Sequence, residues 1–141
     1  MANQPLLFNP DLEPIRYIVG SSTLEFTLDG KFKTFWLSQK QIAELFNLTQ
    51  PSISNHIKKF KEDRPEDIKS VHRKFEYTAV DGKTYDVDHY SHEVVIYIGY
   101  RAQATTETIR FQRFIEEIFR QRLEAARAML RTMRGGRRES G

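Results

Sequence analysis

From Leu37 to Lys59 the apolar residues fall at helical spacing in two short groups. Ile42, Leu45 and Phe46 share one face, and Ile53 and Ile57, four apart, share another. Ser38 and Gln41 have the spacing of a capping box, in which two side chains satisfy each other's backbone N–H groups. Leu37 and Ile42 bracket that cap at the spacing of a hydrophobic staple. Asn47 follows the first group, and Asn is one of the few residues that tolerate a left-handed turn. Thr49 or Gln50 caps the second group, with Pro51 in its first turn, where a missing N–H costs nothing. The pattern predicts two helices joined by a tight turn, with Ser52, Ser54, Asn55 and Lys58 outside.

Alternation replaces helical spacing on either side. Ile15 to Val19 is a short β-like run. Thr23 to Leu28 alternates, with Leu24, Phe26 and Leu28 on one side and Thr23, Glu25 and Thr27 on the other, as in a half-buried strand. Asp29-Gly30 marks a hairpin turn, and Phe32 to Trp36 returns as the partner strand. Phe35, Trp36 and Leu37 then pin the hairpin to the helices as core. After Lys59 a charged stretch with Pro65 predicts a turn of helix over Glu66 to Lys69. Ser70 to Val80 alternates loosely, with Val71, Arg73, Phe75, Tyr77 and Ala79 on one face. Asp81-Gly82 marks a second hairpin, and Lys83 to Tyr90 runs back.

Ser91 is placed to cap a mostly apolar helix containing Val94, Val95, Tyr97 and Ile98. The last element starts at Thr105 or Thr106, with Glu107 in its first turn as the helix dipole prefers. Phe111, Phe114, Ile115, Ile118, Phe119, Leu123, Ala126, Met129, Leu130 and Met133 keep a three-four spacing. Run from its start to Arg134, the helix is roughly 42 Å long at 1.5 Å per residue. Gly135-Gly136 is expected to stop it. The expected fold is α+β: a helix-turn-helix flanked by β-hairpins, winged-helix-like, with a long C-terminal helix. The divisions are a loose arm over 1–14, the hairpin and helix domain over 15–104, the long helix over 105–134 and a tail over 135–141.

The two-helix pattern resembles the DNA-binding helix-turn-helix. Ala43 is small where the second helix crosses, Leu48 follows the turn, and Ile53 and Ile57 face inward. Asn47 stands where that motif usually has Gly. In the motif the second helix enters the major groove and its N-terminal residues touch base edges. Gln50, Pro51, Ser54 and Asn55 take those positions, with Thr49 and Lys58 near phosphates; Ser52 and Lys59 complete the candidate DNA contacts on this helix. Gln and Asn can hydrogen-bond adenine bidentately, and a Pro or Thr methyl can touch a thymine methyl. The second β-hairpin occupies the place of a wing, with Arg73, Lys74 and Lys83, joined by His72, as its cations. Asp86 and Asp88 argue against close DNA contact along its full length. A plain helical hairpin and a solvated β-hairpin are the bland alternatives.

Charge and composition sharpen this only in part. The net charge of +3 is compatible with nucleic acid without specifying it. The distribution is more telling. Arg101 to Arg138 holds ten Arg against four Glu, and Glu62 to Glu93 holds nine acids against five bases. The chain has no Cys, which excludes a disulfide framework and a thiolate metal site. No apolar run reaches membrane-spanning length and no leader-like segment opens the chain, so a soluble cytoplasmic protein is expected, with no membrane partner. His92-Glu93 begins a zinc-protease signature, but Ile96 stands where the second His is needed. His89 and His92 therefore read as ordinary histidines. With no nucleophile matched to a base, no carboxylate pair and no phosphate loop, neither an enzyme nor a cofactor is expected. The apolar stripe of the last helix is longer than a domain of this size covers. Phe114, Ile118, Leu123, Met129, Leu130 and Met133 are accordingly the candidate homodimer interface. The competing expectation folds the stripe back on its own hairpins and makes Arg120 to Arg138 a nucleic-acid arm.

Three stretches together resemble the RhuM virulence-protein family: FWLSQKQIAELFNLTQPSISNHIKK at 35–59, FEYTAVDGKTYDVDHYSHEVVIYIGYR at 75–101, and FQRF at 111–114. The likeness covers roughly residues 32–115. Its members are carried on pathogenicity islands, prophages and other mobile elements, and some are fused to Fic domains. The resemblance implies a helix-turn-helix at Ser38 to Lys59 and a mobile-element setting. No HPFxxGNGR-like Fic motif occurs here, so adenylyl transfer is not implied. The expected function is a DNA-binding regulator acting on double-stranded DNA as a homodimer. The alternative is an antitoxin-like or anti-defence interaction module whose basic surfaces bind an acidic protein partner.

Overall fold

Ser38 is where extended chain turns into helix. It ends a strand at φ −74° and ψ 164°, its hydroxyl accepts the Gln41 N–H, and its own N–H donates to Gln41 Oε1. The computed structural model describes residues 4–5, 11–31 and 33–140. Among them the strands are β1 (Gln4–Pro5), β2 (Leu12–Val19), β3 (Ser22–Asp29), β4 (Thr34–Ser38), β5 (His72–Thr78) and β6 (Thr84–Ser91). The helices are α1 (Gln39–Phe46), α2 (Gln50–Asp63), α3 (Ile68–Val71), α4 (His92–Arg101) and α5 (Thr105–Ser140). The class is α+β, with a long C-terminal helix. Residues 1–108 and 109–141 form two compact units. No helix among the described residues is long and apolar enough to cross a membrane.

All pairings in the sheet are antiparallel, in the order β1-β5-β6-β4-β3-β2. β2 and β3 pair in full across Gly20-Ser21, where Gly20 takes φ 58°. The expected pairing across Asp29-Gly30 is present but short, and a full β2–β3 hairpin that the sequence reading did not pair precedes it. β4 meets only the end of β3, from Thr27 opposite Trp36 to Asp29 opposite Thr34. In the turn after Asp29 the left-handed position falls to Lys33 at φ 52°, not to Gly30. Phe32 and most of the expected arm over 1–14 lie outside the described residues.

Cross-strand register sorts the side chains onto two faces. Leu24, Phe26, Leu28, Phe35, Leu37 and Tyr90 are buried on one, where α1 and α4 pack. Trp36, Phe75, His89 and Asp29 are buried on the other. There Arg73 Nη1 lies 3.1 Å from Asp29 Oδ2, and the guanidinium sits 4.6 Å from the centre of the Phe75 ring. β4 and β6 separate β3 from β5, which puts them about 14 Å apart in a flat sheet. The pair forms because the sheet curls around this face.

Gly99 in α4 marks the tightest contact. A Cβ there would run into the Thr108 side chain and come within 2.8 Å of the Phe46 ring. Thr108 is fully buried, and its hydroxyl donates to the Ala104 carbonyl at 2.6 Å. Ser91 holds the N-cap position of α4, but its buried hydroxyl makes no cap bond, contrary to the expectation from sequence.

Three histidines in this unit, His56, His89 and His92, have their pKa drawn down. His89 is buried, with Nδ1 donating to the Val87 carbonyl at 3.0 Å and Nε2 3.3 Å from the Tyr77 hydroxyl. Burial pulls its pKa below the ordinary 6.5 and Arg73 adds to this, against the opposing Val87 carbonyl and Asp88. His92 Nδ1 accepts the Phe35 N–H at 3.2 Å, and burial lowers its pKa too, Glu93 opposing. His56 is lowered by burial and by Arg101. Below 6.5 the unfolded chain takes up these protons before the folded one does, so stability is lost as pH falls through that range. The urea midpoint should therefore be lower at about pH 5 than at about pH 7.5. His89→Gln should flatten the decline, and an unchanged slope would remove His89 as a contributor.

Candidate nucleic-acid interface

Three residues, Asn47 to Thr49, connect α1 to α2. Asn47 takes the left-handed conformation at φ 54° and ψ 47°, and Leu48 N–H donates to the Ala43 carbonyl at 2.9 Å. Thr49 is the N-cap of α2, its hydroxyl accepting the Ser52 N–H at 3.3 Å, with Pro51 in the first turn. Ile53, Ile57 and Phe60 form the buried face of α2, and Ile42, Ala43, Leu45 and Phe46 that of α1. The entry to α1 is tied to the sheet, since Gln41 Nε2 donates to the Glu25 carbonyl at 2.5 Å. A three-residue turn joining two helices that each bury one face is compatible with the helix-turn-helix expected from the sequence.

The outer face of α2 gathers most of the candidates. Thr49, Gln50, Pro51, Ser54, Asn55 and Lys58 are exposed, and Ser52 and Lys59 are half-buried. Ser54 donates to Gln39 Oε1 at 3.3 Å, and Lys59 pairs with Glu62 at 3.5 Å. From Thr49 to Lys61 α2 carries no acid; Glu62 and Asp63 close it. The N-terminal half thus offers hydrogen-bonding groups and a helix dipole that favours anions, while the C-terminal end repels them. Two further cations belong with this face. Lys40 in the first turn of α1 and Lys61, seven residues after Ser54, are exposed and make no ion pair among the described residues. Lys40 follows Gln39, whose side chain accepts a hydrogen bond from Ser54 of α2.

The β5–β6 hairpin is a different case. β4 pairs with β6 only from Ser91 to His89, so from Asp88 to the tip β6 has β5 as its one neighbour. Of the expected cations, Arg73 is held by Asp29 across the curled face and is about one-third exposed. Lys74 stands opposite Asp88, which also binds His72 at 2.8 Å. Lys83 remains exposed beside the tip, where Asp81 accepts its backbone N–H. Of these cations Arg73 is engaged by Asp29, whereas Lys74 and Lys83 are exposed and make no ion pair among the described residues.

Within α5, Phe114 and Ile118 are half-buried, and Leu123, Met129, Leu130 and Met133 are exposed. The helix does not stop at Gly135-Gly136 but runs to Ser140. Gly costs a helix interior about 1 kcal/mol relative to Ala without removing a hydrogen bond, so it weakens rather than breaks. Arg120 is bound by Glu117 and, at 2.5 Å, by Glu124, which raises its pKa and lowers that of Glu117.

Compared with protein-family models, curated proteins and solved structures, the chain matches none.

Proposed function

We propose that this chain is a DNA-binding regulator whose α2 enters the major groove of double-stranded DNA. The observation that carries the reading is the exposed face of α2 over its first nine residues. It presents Gln50, Pro51, Ser54, Asn55 and Lys58 to solvent without an acid among them, on a helix whose other face is anchored by Ile53, Ile57 and Phe60. Asn55 and Gln50 read bases, and Lys58, with Lys40 on α1, holds the phosphates. One such helix reaches few base edges, so the reading expects two copies on paired half-sites. The RhuM-like wording of residues 35–59 suggests that the regulated genes belong to a mobile element.

Selection of bound DNA from a random pool by the purified protein tests this, and failure to enrich any sequence removes the proposal. On an enriched site Asn55→Ala should cost about 1–3 kcal/mol, with little change on random DNA. Lys58→Ala should weaken both alike and lower the salt slope by about one. Equal losses on both sequences for Asn55→Ala would reassign it to phosphate or to the fold.

A further inference from the structure

The far half of α5 carries an apolar stripe that nothing among the described residues covers. Leu123, Ala126, Leu130 and Met133 follow at intervals of three, four and three, with Met129 beside them. Leu123 is 48 % exposed, Met129 67 %, Leu130 55 % and Met133 56 %. In a coiled-coil register Leu123 and Leu130 take the a positions, and Ala126 and Met133 the d positions. The residues beside such a seam face the sides of the partner helix. Here Arg127 and Arg134 lie on one side, and Arg122 and Met129 on the other. Arg127 and Arg134 make no ion pair among the described residues, whereas Arg120, one heptad earlier, is taken by Glu117 and Glu124.

Charge decides what fits this seam. Two parallel copies would set Arg122 of one against Arg127 of the other. Two antiparallel copies would set Arg127 against Arg127. Like charges so placed act against pairing. DNA would take up the arginines but leaves the exposed Leu and Met side chains without a partner. An amphipathic helix with an apolar seam and Asp or Glu along its sides answers both features. Met129 and Met133 suit such a guest, because the flexible thioether adapts to varied apolar surfaces. We propose that α5, from Leu123 to Met133, docks an acidic amphipathic helix of another protein. Leu123, Leu130 and Met133 form the apolar seat, and Arg127 and Arg134 pair with its carboxylates.

The test uses the full chain and two labelled synthetic helices, both with Leu at a and d, one with Glu and one with Lys at e and g. Fluorescence anisotropy should show the Glu helix binding about tenfold tighter than the Lys helix. Arg127→Glu combined with Arg134→Glu should reverse that preference, and Leu130→Ser should weaken the Glu helix. All three side chains are exposed, so the variants should keep the parent thermal midpoint. Equal binding of the two helices, or no binding of the Glu helix, overturns the proposal. So does a dimeric mass that Leu130→Ser reduces to a monomer, which assigns the seam to a second copy. Loss of DNA affinity in the Arg127→Glu, Arg134→Glu variant, without binding of the Glu helix, assigns it to nucleic acid and overturns the proposal equally.

Discussion

Gly99→Ala should destabilise the protein by about 1–3 kcal/mol, although helix propensity alone predicts a gain of roughly 0.5–1 kcal/mol. Both terms act on one methyl group. In the middle of α4 an alanine is the better helix former, because Gly surrenders more backbone freedom on folding. The new Cβ, however, enters space held by the Thr108 side chain and the Phe46 ring. Neither neighbour moves freely, since Thr108 is fully buried with its hydroxyl bonded to the Ala104 carbonyl, and Phe46 belongs to the buried face of α1. The strain therefore passes to the junctions of α4 with α1 and with the first turn of α5. Urea denaturation of the variant at neutral pH measures the balance. A midpoint equal to or above the parent's would mean that the three elements are not packed this closely.

Arg73→Ala should cost about 2–3 kcal/mol, less than the 3–5 kcal/mol typical of a broken fully buried ion pair because water reaches the guanidinium. The asymmetry of exposure drives the loss. The Asp29 side chain is 3 % exposed and the Arg73 side chain 35 %, so truncating the arginine takes a cation from a buried carboxylate. Asp29 keeps the Lys31 N–H at 3.1 Å, which does not replace a cation. Adding Asp29→Asn to Arg73→Ala should recover part of the stability, since an amide costs less to bury than a charge. The same variant separates two roles for Arg73. If the side chain serves the fold, the salt slope of DNA binding stays at the parent's value while the denaturation midpoint falls. A lower slope at unchanged stability would return Arg73 to the DNA surface.

Local chemistry made the two-helix segment readable. Ser38, Gln41, Asn47, Thr49 and Pro51 each act within three residues of themselves, so their roles follow from spacing alone. The alternation of Leu24, Phe26 and Leu28 was legible for the same reason. One miss was local: Gly20-Ser21 turns β2 into β3 over their full length, beside the shorter β3–β4 pairing that Asp29-Gly30 announced. Others are set at long range. Nothing near Arg73 marks it as the partner of Asp29, 44 residues away. Gly135-Gly136 looked like a stop because isolated Gly pairs usually loosen a helix, yet no proline follows to enforce it. In the candidate interface, the exposed face of α2 was legible as one side of an amphipathic helix, whereas the engagement of Arg73 depended on Asp29 of another strand.

The pairing of Trp36 with Ser91 and of Leu37 with Tyr90 encloses α1, α2, α3 and β5 between two strands that lie side by side. That arrangement has a kinetic consequence. The β2–β3 and β5–β6 hairpins close over short turns, and α1 with α2 over three residues, so each can assemble by itself. Joining β4 to β6 instead closes a loop of more than fifty residues, at an entropic cost of about 3–4 kcal/mol if the loop is still unstructured. The cost shrinks only after the enclosed elements have become compact. The two-helix segment is therefore the plug whose prior collapse lowers the cost of zipping the sheet across its middle. Substitutions at its core-facing residues, such as Ile53→Ala, should therefore slow refolding in stopped-flow measurements, and an unchanged refolding rate would remove this order of assembly.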